Sequence, residues 1–177
     1  SLDPGVRTFQ TVYCSDGDSF QIGNNVTKHL KPLIDSTLKF TTKVKSKHKR
    51  RIRDKIKHLV DDLHWKTANT LCKLSNKILI GNMSTIGVLK GSLTSGTKRL
   101  LQSISHYTFR QRLKAKCEEY NVEFVEVNES YTSKTCGGCG RLNQTLGSSK
   151  VFNCRPCDFT LDRDINGARN IMIKILQ

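Results

Sequence analysis

Apolar positions along this chain alternate at first, then fall into helical steps, and alternate again before a polar, cysteine-rich stretch. From Ser1 to about Gly23, Val6, Phe9, Val12 and Tyr13 supply β-formers. Ser15-Asp16-Gly17-Asp18 supplies a turn and Phe20 and Ile22 alternate after it, so a β-hairpin is expected. Residues 24–45 read as looser, because Asn24-Asn25 and Pro32 interrupt any long element. Ile56, Leu59, Val60, Leu63, Thr67, Leu71 and Leu74 then follow steps of three and four, which predicts one long helix from about residue 46 to 75. Lys77-Ile78-Leu79-Ile80 reads as a short buried strand. Residues 84–99, with Gly87, Gly91, Ser92, Ser95 and Gly96, read as an exposed, mobile loop. A second helix is predicted from near Ser105, where Phe109, Leu113, Cys117 and Tyr120 are spaced by four, four and three. Residues 122–127 form a strand candidate, and Asp164 to Leu176 closes the chain as an amphipathic helix. This order of elements predicts a mixed α/β layer domain.

The cysteines change the picture between Ser130 and Leu161. Of seven, four form two CxxC pairs, Cys136/Cys139 and Cys154/Cys157, with fourteen residues between the pairs. Each CxxC turn presents two thiolates, and two such knuckles complete a tetrahedral zinc site. Gly137, Gly138 and Gly140 allow the tight backbone, and the polar Arg141–Asn153 reads as a hairpin tip rather than core. Four thiolates leave no open coordination position, so the zinc is structural and catalysis must come from elsewhere. Cys14, Cys72 and Cys117 read as small apolar packing residues in a reducing compartment.

The 30 basic and 15 acidic residues give a net charge of +15, which points to an anionic partner, nucleic acid before an acidic membrane surface. The excess is densest at Lys43, Lys45, Lys47, Lys49, Arg50, Arg51, Arg53, Lys55 and Lys57, nine cations in fifteen residues with Asp54 as the single acid. Such a face suits a phosphate backbone. Lys47-His48-Lys49-Arg50-Arg51 also matches a nuclear-import pattern. No apolar run reaches the length of a membrane span and the polar start is not a signal peptide. The expected location is intracellular: the nucleus in a eukaryotic host, the cytoplasm otherwise.

Against so few acids, carboxylates at strand ends and helix starts are informative. Asp3 precedes Pro4-Gly5, Glu126 and Glu129 lie at the end of the strand at 122–127, and Asp162 and Asp164 begin the last helix. Singly, each has an ordinary reading: a turn residue, a solvated strand residue, a helix cap. As a set they offer the oxygen ligands that hard divalent cations prefer, drawn from distant segments.

Ser1-Leu2-Asp3-Pro4-Gly5-Val6-Arg7, Glu129-Ser130-Tyr131-Thr132-Ser133-Lys134-Thr135-Cys136-Gly137-Gly138-Cys139-Gly140 and Asp162-Arg163-Asp164-Ile165-Asn166-Gly167-Ala168-Arg169-Asn170-Ile171 occur in this order. Together they resemble the RuvC and zinc-ribbon half of TnpB, a family of transposon-encoded RNA-guided DNA nucleases. Its eukaryotic and viral relatives are called Fanzor. The resemblance implies an RNase H-like (RuvC) mixed sheet flanked by helices, with a four-cysteine ribbon inserted before the last helix. Residues 1–129 and 162–177 would form the split nuclease domain and 130–161 the ribbon. It implies Mg²⁺-dependent hydrolysis of DNA directed by a guide RNA, with Asp3 as the first carboxylate and Asp164 as the last. Most of the family carries the middle glutamate just after the strand that here ends Ile78-Leu79-Ile80, where this chain has Gly81-Asn82. A rearranged subset places it beside the Tyr-Thr-Ser-Lys-x-Cys motif, which points to Glu129, with Glu126 in reserve. Strand alternation puts those two on opposite faces. Asp3, Glu129 and Asp164 would then hold two Mg²⁺ about 3.5–4 Å apart. Lys134 and Arg163 stand near these ligands, either to neutralise a phosphate or as ordinary solvated cations. Lys45, Lys47, Lys49, Arg50, Arg51 and Arg53 would contact the RNA or the RNA–DNA hybrid.

Almost nothing precedes Asp3, so the chain is expected to be part of a longer polypeptide, with weak or no guided cleavage by itself. Two other readings compete with a nuclease: a catalytically inactive nucleic-acid-binding zinc-ribbon protein, favoured by Gly81, and a ribbon adaptor for protein partners, disfavoured by the charge.

Overall fold

The computed structural model describes residues 1–38, 46–83, 93–147 and 149–176, together with 87, 89 and 91. Its main sheet runs in the order β3-β2-β1-β4-β5, from β1 (Leu2–Pro4), β2 (Gln10–Tyr13), β3 (Ser19–Ile22), β4 (Lys77–Gly81) and β5 (Glu123–Val127). β1, β2 and β3 form an antiparallel meander, while β4 lies parallel to both β1 and β5. The β2–β3 turn is the expected one: Cys14 N–H donates to the Asp18 carbonyl at 2.8 Å, and Gly17 takes a φ of 98°.

Helices cover both faces. α1 (Val26–Leu38), α2 (Ser46–Leu74), α3 (Ser95–Ile104) and α4 (His106–Tyr120) share one core with Leu2, Phe9, Val12, Ile78 and Ile80. α5 (Arg163–Leu176) packs across β2, β1, β4 and β5 on the other side, where Ile171 meets Leu79 and Val127. β4 therefore sends Ile78 and Ile80 one way and Leu79 the other, which is why it reads as an unbroken apolar run. The result is a three-layer mixed α/β domain.

Three sequence expectations are corrected. Residues 26–38 are helical despite Pro32, whose ring removes the donor for the Lys28 carbonyl. Val26, Leu30 and Ile34 recur every four residues, and Leu30 and Ile34 are buried in the main core. Tertiary burial outweighs one missing hydrogen bond. The loop expected over 84–99 becomes helical from Ser95. Thr94 caps that helix by accepting from Thr97 N–H at 3.3 Å, and Leu100, Leu101 and Ile104 are buried beneath it. Residues 84–86, 88, 90 and 92 of that stretch lie outside the described residues, as do Lys43 and Lys45. Finally, α2 buries Val60, His64, Thr67, Ala68, Leu71 and Cys72, whereas Leu59 and Leu74 of the expected stripe are exposed.

His64 enters the core because both ring nitrogens are satisfied. Nε2–H donates to the Ile104 carbonyl at 2.9 Å and Nδ1 accepts from Arg112 at 3.1 Å. Phe9 lies between the rings of His64 and His106, stacked on each with centroids 5.3 and 5.4 Å away. His106 Nε2–H donates to the Gly5 carbonyl at 2.9 Å, tying the turn after Asp3 to α4. Cys72 and Cys117 pack in the core as expected, their sulfurs 3.7 Å apart, and Cys14 is partly buried.

Candidate active site and metal centre

β6 (Val151–Cys154) and β7 (Phe159–Asp162) form a separate two-stranded antiparallel sheet that carries the second cysteine knuckle. The stretch expected to be only a hairpin tip contributes to its core, because so small a unit needs its own apolar centre: Leu146, Phe152, Cys136 and Cys154 are buried together. Each knuckle folds over a tight turn. Gly138 N–H points at Cys136 Sγ from 3.4 Å, Gly140 takes a φ of 74°, and Asp158 after Cys157 takes 52°. All four sulfurs lie within 4.8 Å of one another. Cys136–Cys157 and Cys139–Cys154 are 3.6 and 3.7 Å apart, far beyond a disulfide. Zinc–sulfur bonds of about 2.3 Å in a tetrahedron set sulfurs about 3.8 Å apart, so the four thiols fit a closed zinc site.

The acidic residues come from three segments: Asp3 from within β1, Glu129 from just past the end of β5, and Asp164 from the start of α5. Asp3, paired in register with Thr11, sits in β1 on the face opposite buried Leu2. Its carboxylate reaches helix α5 at Gly167, where a Cβ would stand 2.5 Å from Asp3 Oδ2. Glu129 lies two residues past β5 and leans over the end of β4. A Cβ on Gly81 would stand 2.5 Å from Glu129 Oε2. The Glu129 carboxylate thus occupies the space that a side chain at 81 would enter, and Gly81 is required for it to do so. Asp164 lies in the first turn of α5, while Asp162 is the residue that caps the helix, accepting from the Asp164 and Ile165 amides at 2.9 and 3.2 Å. Asp164 is thereby left free of capping.

These groups feel one another. Burial pushes the Asp3 carboxyl well above the usual carboxylate range, and the charges of Glu129 and Asp164 push it further. Glu129 is raised by burial against the pull of Arg110, and its Oε2 is buried with no hydrogen-bond partner. Asp164 is raised by burial and then by Asp162, with Arg163, Arg7 and Lys150 opposing. Partly buried Asp3 and Glu129, the latter with an orphaned oxygen, beside the exposed Asp164 offer the oxygen donors a hard divalent cation would satisfy. Among the described residues only the four cysteines bring all their ligand atoms within 4.8 Å, so the carboxylates stand wider than the thiols.

Glu126 sits elsewhere. It pairs with Ile80 in register, on the α4 side of the sheet, and is exposed beside Arg110 at 3.5 Å. Lys134 is exposed. Arg163 donates to the Gly147 and Ser149 carbonyls at 3.0 and 3.5 Å, fastening α5 to the ribbon. Lys47, Arg50, Arg51 and Arg53 are exposed on the first turns of α2 and Lys49 is partly so; Lys45 lies outside the described residues. Among the described residues, the ion pairs of α2 are Asp62–Lys66 and Asp61–Arg112, both in its other half. The sequence reading passed over Asn166, Asn170 and Lys174, which hold the segment carrying Glu129 from α5. Their signal was two asparagines four residues apart on a helix that otherwise turns apolar residues to the sheet.

Comparison with known proteins agrees with this architecture. Residues 106–171 match the family model described as Cas12f1-like, TNB domain. A candidate transposase of Paramecium bursaria Chlorella virus 1 is 36% identical over 99% of this chain and 43% of its own length. A TnpB-like protein of Acanthamoeba polyphaga mimivirus is 34% identical over 97% of this chain and 36% of its own length. The chain spans less than half the length of these curated relatives. A solved Cas12f1–sgRNA–target DNA complex shares the fold with a TM-score of 0.68 at 22% identity, covering 96% of this chain and 48% of that one. Fold, motif order and relatives agree: the chain is similar over nearly all of its length to TnpB-like proteins, and combines an RNase H-like sheet with a four-cysteine ribbon.

Proposed function

We propose that this chain is the DNA-cutting portion of an RNA-guided, transposon-associated nuclease, a metal-dependent endonuclease whose ions are held by Asp3, Glu129 and Asp164. The observation that carries the reading is that Asp3 feels the charges of both Glu129 and Asp164, with glycine at 81 where a side chain would meet the Glu129 carboxylate and at 167 where one would meet that of Asp3. Bound there, a pair of divalent ions such as Mg²⁺ would supply an activated water and neutralise the leaving oxygen. The chain's own residues do the placing. Glu129 presents an oxygen with no competing donor, Asp3 is fixed by its strand, and Asp164 is freed because Asp162 caps the helix. Zinc on Cys136, Cys139, Cys154 and Cys157 would be structural. We divide the chain into a nuclease domain, 1–129 with 162–177, and a ribbon, 130–161.

Double-stranded nucleic acid enters through the exposed cations at the start of α2, with Lys134 near the carboxylates as a phosphate contact. Guide RNA and target DNA are the partners on this reading, as in the Cas12f1–sgRNA–target DNA complex of the same fold. The test is cleavage of labelled single-stranded DNA with Mg²⁺ by the zinc-loaded chain. Asp164→Ala and Glu129→Ala are expected to abolish cutting, and Glu126→Ala to preserve it. If the unaltered chain is silent, the same variants are compared in a chain extended to the length of its relatives, with its RNA. Silence there would replace the nuclease with an inactive nucleic-acid binder.

A further inference from the structure

Glu129 lies outside any strand, so something else must fix it. β5 stops at Val127, and the segment 128–137 forms turns rather than a regular element. Its backbone groups are gripped from α5 by three side chains spaced one turn apart. Lys174 Nζ donates to the carbonyls of Asn128 and Ser130, at 2.9 and 2.7 Å, which flank Glu129 on either side. Asn170 Nδ2 donates to the carbonyls of Thr132 and Thr135 at 2.8 and 2.7 Å. Asn166 Nδ2 donates to the Thr135 carbonyl at 2.8 Å, and its Oδ1 accepts from Gly137 N–H at 3.1 Å, inside the first cysteine knuckle. The loop is further tied to itself: Thr132 donates to the Glu129 carbonyl through N–H at 3.1 Å and Oγ1 at 2.8 Å.

Positions 166, 170 and 174 share one helix face. Asn166 and Asn170 are buried, where an amide persists only if its hydrogen bonds are met. The same helix carries Asp164 in its first turn and, at Gly167, the surface against which Asp3 rests.

We propose that Asn166, Asn170 and Lys174 are positioning residues for the metal-binding carboxylates. They form a ladder by which one rigid helix sets Glu129 in register with Asp164 and Asp3 and locks the first cysteine knuckle to the same frame. Helix α5 is then the template of the site, placing one ligand directly, one by close packing and one through the ladder. This rests on the reading of Asp3, Glu129 and Asp164 as divalent-ion ligands.

The test is Mn²⁺ affinity of the zinc-loaded chain, followed by electron paramagnetic resonance, alongside zinc content and melting temperature. Lys174 is exposed, so Lys174→Met should leave zinc content and melting temperature near those of the unaltered chain. It should weaken Mn²⁺ binding about ten-fold, and Lys174→Arg, which keeps a charged donor, should restore most of it. Asn170→Ala should weaken Mn²⁺ binding about 10–100-fold with zinc retained. Mn²⁺ binding that depends on Asp3 but is unmoved by Lys174→Met would overturn the ladder while leaving the carboxylate reading intact. Mn²⁺ binding indifferent to Asp3→Asn would overturn that reading and the ladder with it.

Discussion

Replacing Gly81 with alanine would put a methyl group where the Glu129 carboxylate now lies. The added Cβ would stand 2.5 Å from Glu129 Oε2, against about 3.4 Å for an ordinary contact, so the oxygen must retreat by about 0.9 Å. Ile171 Cδ1 at 3.2 Å and Glu129 Cβ at 3.3 Å narrow the room on either side. A carboxylate end can swing, so the fold loses little. Alanine in place of strand glycine even stabilises by roughly 0.5–1 kcal/mol, which offsets part of the crowding. Placement is another matter, since a displacement of about 1 Å in a reacting constellation costs on the order of 100-fold, or about 2.7 kcal/mol of barrier. Stability and function should therefore separate. In Gly81→Ala the melting temperature should stay within about 3 °C, while single-turnover Mg²⁺-dependent cleavage falls on the order of 100-fold. Cleavage equal to that of the unaltered chain would refute the placement of Glu129. A collapse in melting temperature would refute the view that the contact is a soft one.

Neutralising Asp3 should stabilise the zinc-loaded chain in magnesium-free buffer. Its folded pKa is raised, so the ionised form is penalised increasingly as pH climbs above the unfolded value; Asp3→Asn removes that penalty, and an unchanged or lower melting temperature at pH 7 would contradict it. His64 and His106 behave oppositely, because burial lowers both to about 4 from an ordinary 6.5. The unfolded chain takes up these protons first, so stability should drop as pH falls from about 6.5 towards 4, by up to about 3 kcal/mol for each. Urea midpoints should show a shallower acid slope in His106→Gln than in the unaltered chain, and equal slopes would contradict the assignment. Changing Arg50, Arg51 and Arg53 together to Gln should reduce the salt slope of duplex binding by about 0.9 per lost phosphate contact; an unaltered slope would move the nucleic-acid surface elsewhere.

The parts of the fold that showed in the sequence are those with a regular apolar period or an unbroken apolar run. α4 and α5 turn one apolar side to the core, β4 is apolar on both faces and β5 is rich in β-formers, and the CxxC spacing carried the metal centre because zinc geometry leaves few alternatives. α1 was obscured by Pro32, since local propensity speaks against a helix that the burial of Leu30 and Ile34 supplies. α3 hid among glycines and serines, and only the Thr94 cap and the Leu100, Leu101 and Ile104 cluster betray it. Within α2, His64 broke the apolar stripe because its burial depends on Ile104 and Arg112, forty or more residues away. The candidate site was legible as a list of carboxylates but not as a geometry. That Glu129 fills the space over Gly81, and that Asp162 caps so that Asp164 need not, are facts of contact between distant segments. The ladder from Asn166 to Lys174 belongs to the same class, since its partners are backbone groups that carry no residue signature.

The most direct test of the account is anomalous scattering from crystals of the zinc-loaded chain soaked in Mn²⁺. The expected map has a zinc peak among Cys136, Cys139, Cys154 and Cys157, and manganese peaks contacted by Asp3, Glu129 and Asp164. Manganese absent from those carboxylates, or bound instead beside Glu126, would contradict it.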